Sequence, residues 1–243
     1  MIPTTEAIVL KSFDYRETSR IVRFFTKSQG KLSVLFKGIR KDPKKFGSSV
    51  DKFTVNDLVY YHYRRTDLHL ASQCDLKHFY FQIRQDYPKN MAAHYMTELV
   101  DTIMQPGETN QEVYALMIQF LDSLEKEADI SRLVHIFQIK ILQLSGFSPH
   151  LDADVRTGKP ITGKARFSMK AGGLVSDDTA GEAGTLTPIS KGTIATILNI
   201  EKSSWAHCLR IGLTATVRRE LKYILNNFLV YHLERKIKSA QYL

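Results

Sequence analysis

Leu68-His69-Leu70-Ala71-Ser72-Gln73-Cys74-Asp75-Leu76 decides the fold class. Leu68, Leu70, Ser72, Cys74 and Leu76 fall on one side of an extended chain, and His69, Gln73 and Asp75 on the other. That period of two predicts a strand in a sheet with one buried face. Working back, residues 58–63, 32–37, 21–25 and 7–10 read as four more short strands bounded by turn residues. Leu32, Val34 and Phe36 share one face of the third strand. Gly30, in Lys27-Ser28-Gln29-Gly30-Lys31, can supply the positive φ of a hairpin loop. Five antiparallel strands in so short a stretch suit a small closed barrel, and the OB-fold is the five-stranded one. Residues 38–49 hold four basic residues against one acid, and read as a solvated loop.

Beyond about residue 82 the period turns helical. Met91, Tyr95, Leu99 and Ile103 predict a helix over 88–104, ended by Pro106-Gly107. Val113, Leu116, Met117, Phe120, Leu121 and Leu124 mark the next. A third runs from Ser131, read as its N-cap, to Gly146, with apolar residues around most of its circumference. It should be buried. Residues 147–187 lose the pattern, and seven of the chain's 13 glycines lie at 146–184. They predict a loop-rich insert with a short strand pair near 165–169 and 174–175. Gly172-Gly173 reads as a turn. Helical spacing returns over 189–198 and 214–238, with Val217, Leu221, Ile224, Leu225 and Phe228 inward. The expected organisation is α+β: an OB-fold barrel over 1–80, then an α-helical domain over 81–243, with the insert at about 148–187.

At 243 residues, 43% hydrophobic and 24% charged, the chain is of globular composition. Cys74 and Cys208 cannot make a disulfide framework or a four-cysteine zinc site, and read as core thiols. No apolar run is long enough to span a membrane, and the first residues lack a signal-peptide layout. A soluble cytoplasmic protein is expected. The net charge of +9 is uneven: residues 1–80 carry +7, 81–180 carry −3 and 181–243 carry +5. A basic N-terminal third suits a polyanion, or merely a solvated surface.

Enzyme signatures are absent: no glycine-rich nucleotide loop, no H-E-x-x-H, no G-x-S-x-G. The histidines do not cluster in ligand spacing. Asp152, Asp154, Asp177 and Asp178 could take a hard cation, but no loop template fits them. The positive signal is cationic. Lys31, Lys37, Arg40, Lys41, Lys44 and Lys45 come from the third strand and its flanks, Arg64-Arg65 from the turn between strands four and five, and Arg16 and Arg20 from the first loop. Tyr60, Tyr61, Tyr63, Phe46 and Phe53 interleave with them. OB-folds hold single strands with such pairings of cations and aromatic faces, between the loops joining strands one–two and four–five.

Several stretches taken in order resemble the bacterial recombination mediator family RecO. They are Thr5-Glu6-Ala7-Ile8-Val9-Leu10-Lys11-Ser12, Asp14-Tyr15-Arg16-Glu17-Thr18-Ser19, Lys37-Gly38-Ile39-Arg40-Lys41, Glu98-Leu99-Val100-Asp101, Leu144-Ser145-Gly146-Phe147-Ser148-Pro149, Ala171-Gly172-Gly173-Leu174 and Tyr231-His232-Leu233-Glu234-Arg235. The resemblance implies a non-enzymatic DNA repair and recombination mediator without a cofactor. It would bind single- and double-stranded DNA, anneal complementary strands and work with RecR. It would also engage the acidic tail of the single-strand-binding protein, so that RecA can load. Arg210, Arg218, Arg219 and Lys222, beside Ile211, Leu213 and Leu221, are the candidate tail receptor. Many members carry two C-x-x-C pairs and bind zinc in the insert; here Asp154, Thr157, Ser176 and Thr179 stand at those positions. Zinc should therefore be missing, and packing and hydrogen bonds should hold the insert. Two other readings stay open: an OB-fold adaptor that binds protein, and a metal-dependent nuclease using the insert's aspartates.

Overall fold

A computed structural model describes residues 2–42, 46–161, 164–176 and 184–243. The chain divides into two compact units, Met1–Ala128 with Gln241–Leu243, and Asp129–Ala240.

The first unit begins with five strands: β1 (Thr4–Tyr15), β2 (Ser19–Thr26), β3 (Gly30–Phe36), β4 (Val55–Tyr61) and β5 (Leu68–His78). They close into a barrel in the order β1-β2-β3-β5-β4, with β3 and β5 parallel and the other pairs antiparallel. This is the expected OB-type barrel. Ala7, Val9, Val22, Phe24, Val34, Phe36, Leu58, Tyr60 and Cys74 fill its interior. Burial there pushes the Cys74 thiol up to about 12. Gly30 has φ +66° and packs against the backbone of Glu108, where a Cβ would meet the carbonyl oxygen at 2.3 Å. Only glycine fits that approach.

Two expectations fail inside the barrel. Residues 38–42 and 46–49 are not a wholly solvated loop, because Ile39 and Phe46 are buried in the barrel core, with Val50 just beyond. The charged residues look outward while three apolar side chains plug the end of the barrel. The face assignment of β5 also fails. His69 is buried, whereas Leu76 is 43% exposed. The register explains it. Tyr60 faces Ala71 but Val59 faces Gln73, so one extra residue sits in β5 and reverses the alternation.

Helices α1 (Phe81–Gln85), α2 (Tyr87–Ile103) and α3 (Gln111–Lys126) complete this unit. The Asp86 side chain caps α2 by accepting from the Lys89 N–H. Ile8 and Phe25 are fully buried although they alternate with the interior residues. Phe25 stacks on Tyr114 of α3, with ring centroids 6.5 Å apart.

The second unit opens with α4 (Ile130–Leu144), buried around most of its circumference as expected. Its N-cap is Asp129 rather than Ser131. The Asp129 carboxylate accepts from the Arg132 N–H at 3.1 Å, while the Ser131 hydroxyl lies 3.5 Å from His135 Nε2. The insert holds β6 (Ala165–Ser168) and β7 (Gly173–Ser176), near the expected pair, and a third strand that the spacing did not reveal, β8 (Leu186–Pro188). Then come α5 (Lys191–Lys202), α6 (Trp205–Cys208) and α7 (Ala215–Leu233). Helix α7 stops five residues short of its expected end, where Glu234 takes a left-handed conformation (φ 51°). Among the described residues no helix is long and apolar enough to cross a membrane.

Candidate nucleic-acid interface

Strand alternation and register assemble a surface that no single strand displays. Phe13 faces Ile21, Ile21 faces Leu35, Leu35 faces Leu70, and Leu70 faces Tyr61. Ile21, Leu35 and Tyr61 alternate with interior residues of their own strands, and the register beyond the bulges in β1 and β5 sets Phe13 and Leu70 beside them, so the five form one row across the outside of all five strands. Phe13 is 39% exposed and Tyr61 43%, and Ile21, Leu35 and Leu70 are half-buried. Tyr63, also exposed, follows Tyr61 in the β4–β5 loop. Contiguous exposed apolar surface edged by charge marks an interaction site.

Cations border the row. Lys11 and Lys37 are exposed on the same outer face, and Arg64 and Arg65 are exposed in the β4–β5 loop. At the β1–β2 turn, Arg20 Nε lies 2.9 Å and Arg40 Nε 3.5 Å from the two oxygens of Asp14. Arg40 also donates to the Arg16 carbonyl at 3.2 Å, and the Arg16 guanidinium sits 5.3 Å from the Tyr15 ring centre. Arg20 and Arg40 thus share one carboxylate, with Arg16 in the same turn, which stays net positive. Lys41 is exposed in the following turn.

Lys31 is placed differently. Its ammonium donates to the Asp101 carbonyl at 2.6 Å and lies 3.3 Å from the Asp101 carboxylate, which Arg23 also grips at 2.8 Å. Its charge fastens β3 to α2. Lys44 and Lys45 lie outside the described residues. The expected aromatic platforms divide as well: Tyr60, Phe46 and Phe53 are core, and only Tyr61 and Tyr63 are exposed. Phe13, Ile21, Leu35 and Leu70 were missed: Ile21 and Leu35 alternate with the interior residues of their strands, but the bulges in β1 and β5 hide Phe13 and Leu70 from a period-two count.

The β4–β5 loop is tethered by a histidine. His69 Nδ1 accepts from the Tyr63 N–H at 3.4 Å, and its ring stacks on Tyr60 and lies 4.6 Å from His62. Burial, reinforced by His62, pulls the His69 imidazole below its usual range. The neutral ring can accept that amide hydrogen; the imidazolium could not.

In the second unit, Arg210, Arg219 and Lys222 are exposed. Arg218 is spent on Asp129, with nitrogen–oxygen distances of 2.8 and 2.6 Å.

The insert carries no cysteine and so offers zinc no thiolate. Asp154 is buried, and its carboxylate accepts from the Arg156 and Thr157 N–H groups at 2.9 and 3.1 Å and from the Ser176 N–H at 2.7 Å. Neither Thr157 nor Ser176 offers a thiolate, and Thr179, Asp177 and Asp178 lie outside the described residues. Among the described residues no group of three or more His, Cys, Asp or Glu side chains could hold a metal ion. The carboxylate ties the 154–158 loop to β7 where the resemblance implied thiolates. Gly172 makes the expected turn at φ +76°, but Gly173 enters β7 and pairs with His150.

The family model described as recombination protein O N terminal matches residues 1–80, and the one described as recombination protein O C terminal matches residues 84–241. The chain is 28% identical over 240 residues to the DNA repair protein RecO of Moorella thermoacetica, covering 98% of this chain and 89% of that one. It is 31% identical over 246 residues to the DNA repair protein RecO of Syntrophus aciditrophicus, covering 98% and 94%.

Proposed function

The chain belongs to the recombination protein O family of DNA repair proteins, and from that premise we propose that it is a non-catalytic mediator of recombinational repair whose barrel binds DNA. The observation that carries this reading is the row Phe13–Ile21–Leu35–Leu70–Tyr61, bordered by Lys11, Lys37, Arg64 and Arg65. Phosphates meet the cations, and bases of any identity stack on Phe13, Tyr61 and Tyr63, so sequence preference is weak. The cationic turn formed by Arg16, Arg20, Arg40 and Lys41 extends the track. It supports contact with double-stranded DNA and lowers the repulsion between two strands being annealed. Lys31 and Arg218 are left out, because their charges are already used within the fold.

In this reading the protein works in the cytoplasm, at the nucleoid, with RecR. It loads RecA onto DNA covered by single-strand-binding protein, whose acidic tail docks on the second unit at Arg210, Arg219 and Lys222. The test is fluorescence anisotropy with labelled single-stranded DNA over a range of salt. Affinity should fall linearly on a log–log scale with a slope of several, since about 0.7 is expected per phosphate contact. Salt-independent retention, or none, would favour the alternative of an adaptor whose barrel binds protein.

A further inference from the structure

We propose that Asn226 of α7 is a further donor to the carboxylates of an acidic peptide, beside Arg219 and Lys222. Buried side chains of α4 turn its carboxamide toward that ligand. This rests on the tail-docking reading above and adds to it an uncharged residue that charge patterning does not mark.

A string of polar side chains links α4 to α7. Gln138 is 1% exposed and His135 4%. Gln138 Nε2 donates to Asn226 Oδ1 at 2.8 Å. The other end of the Gln138 carboxamide, Oε1, lies 3.1 Å from His135 Nδ1. A buried amide is costly unless hydrogen-bonded, and both ends of Gln138 are. An amide oxygen only accepts, so Nδ1 carries the hydrogen. Burial holds the His135 imidazole below its usual range, so the ring is neutral and Nε2 is left to accept. The Ser131 hydroxyl faces Nε2 at 3.5 Å and can donate there. The string therefore runs in one direction, and its last acceptor is the Asn226 oxygen.

With its oxygen held inside, Asn226 has its N–H2 group left over. Among the described residues that nitrogen makes no hydrogen bond, and it reaches solvent. The neighbouring Asn227 differs, because its Nδ2 donates back to the Tyr223 carbonyl at 2.7 Å.

Helical spacing sets this group among the right neighbours. Lys222, Tyr223, Asn226 and Val230 follow Arg219 by three, four, seven and eleven residues, which puts all five on one side of α7. The buried Leu221, Ile224 and Phe228 lie on the other. Arg219 and Lys222 are exposed, as are Tyr223 at 52% and Val230 at 38%. The carboxylate next in sequence, Glu220, is taken by Ser190 and Thr193. Toward solvent, Arg219, Lys222 and Asn226 only donate, which selects carboxylates. Tyr223 and Val230 offer apolar surface to a hydrophobic residue of the same peptide.

The test titrates a labelled oligo-aspartate peptide ending in phenylalanine against the full chain and its variants. Asn226→Ala should weaken binding about tenfold, which is what one hydrogen bond to a carboxylate contributes. Asn227→Ala should bind as tightly as the unaltered protein. Gln138→Met keeps the shape but breaks the string, and should weaken binding although Gln138 is buried away from the peptide. A side-chain nitrogen NMR spectrum gives a readout that packing alone would not move. His135 should carry its hydrogen on Nδ1, and the Asn226 N–H2 signal should shift when peptide is added. Both signals come from the unaltered protein and decide the matter even if Gln138→Met fails to fold. Full affinity in folded Asn226→Ala while Arg219→Ala weakens binding would overturn the role of Asn226 and leave tail docking standing. So would a neutral His135 with its hydrogen on Nε2, since the Asn226 oxygen would then face outward. An unaltered protein that binds no such peptide, or full affinity with Arg219 and Asn226 both replaced, would overturn both.

Discussion

Arg218 of α7 grips both carboxylate oxygens of Asp129, at 2.8 and 2.6 Å, while the same carboxylate caps α4 through the Arg132 N–H. One residue thus anchors the start of one helix to the side of another. Arg218 holds the Asp129 carboxyl below its ordinary range. The contribution is therefore complete above the unfolded Asp value, near pH ~4, and is lost as pH falls through the lower folded value. Both side chains are about a third exposed, so solvent screening leaves about 1 kcal/mol. Arg218→Ala should cost about that much in urea unfolding at neutral pH, and Arg219→Ala should stay within about 0.5 kcal/mol. In a tail-peptide titration, Arg210→Ala and Arg219→Ala should weaken binding, while folded Arg218→Ala should not. The opposite ranking would mean that the guanidinium leaves Asp129 for the peptide.

Asp154 gives a second expectation. Its carboxylate meets three backbone donors, so Asp154→Asn places an amide nitrogen among N–H groups and leaves at least one without an acceptor. A hydrogen bond to a charged group contributes about 1.5–3 kcal/mol, and the loss should fall in that range. Amide exchange should quicken first at Arg156, Thr157 and Ser176. Chelator should leave the melting temperature of the unaltered protein unchanged, and elemental analysis should find well under one zinc per chain. Stoichiometric zinc, or a chelator-induced drop in melting, would refute this.

The sequence carried the barrel because the alternation in 21–37 is clean: Val22, Phe24, Val34 and Phe36 all reach the interior. It failed on β5 because one extra residue reverses the faces, and a single bulge is invisible to a period-two count. It failed on residues 38–49 because two apolar side chains, Ile39 and Phe46, among many charges look like a loop until the barrel core they join is known. The cations were legible as a set but not by role. Lys31 lies in β3 and Lys37 directly after it, yet only the Asp101 contact distinguishes a fastening from an exposed ammonium.

Acid should destabilise the first unit through His94. Burial and Lys52 lower the imidazole from 6.5 to about 4. As pH falls below the ordinary value the unfolded chain takes up the proton first, so stability declines between about pH 6.5 and pH 4 and levels off below. The difference corresponds to at most about 3.4 kcal/mol, and solvent screening at the half-buried ring leaves less. His94→Gln should flatten that part of the stability–pH curve measured by urea unfolding. A slope that survives the substitution would assign the acid sensitivity to other groups.

Tyr60 and Tyr61 are adjacent yet opposite in role, and they separate binding from folding. Tyr60 is 1% exposed inside the barrel, stacked on His69, while Tyr61 is 43% exposed at the end of the row. Tyr61→Ala should leave the unfolding midpoint nearly unchanged and weaken single-strand binding by about 1–3 kcal/mol, the worth of one stacked base. The salt slope should be unaltered, because no phosphate contact is lost. Tyr60→Ala should open a core cavity and cost about 3–5 kcal/mol of stability. Its binding loss should track the unfolded fraction, so it should disappear at temperatures where the variant is folded. Phe13→Ala, at the other end of the row, should resemble Tyr61→Ala. If the row is a single track, a short oligonucleotide should feel either change alone, and a longer one should lose the two contributions additively. Full affinity in folded Tyr61→Ala and Phe13→Ala would move the base contacts off this face of the barrel.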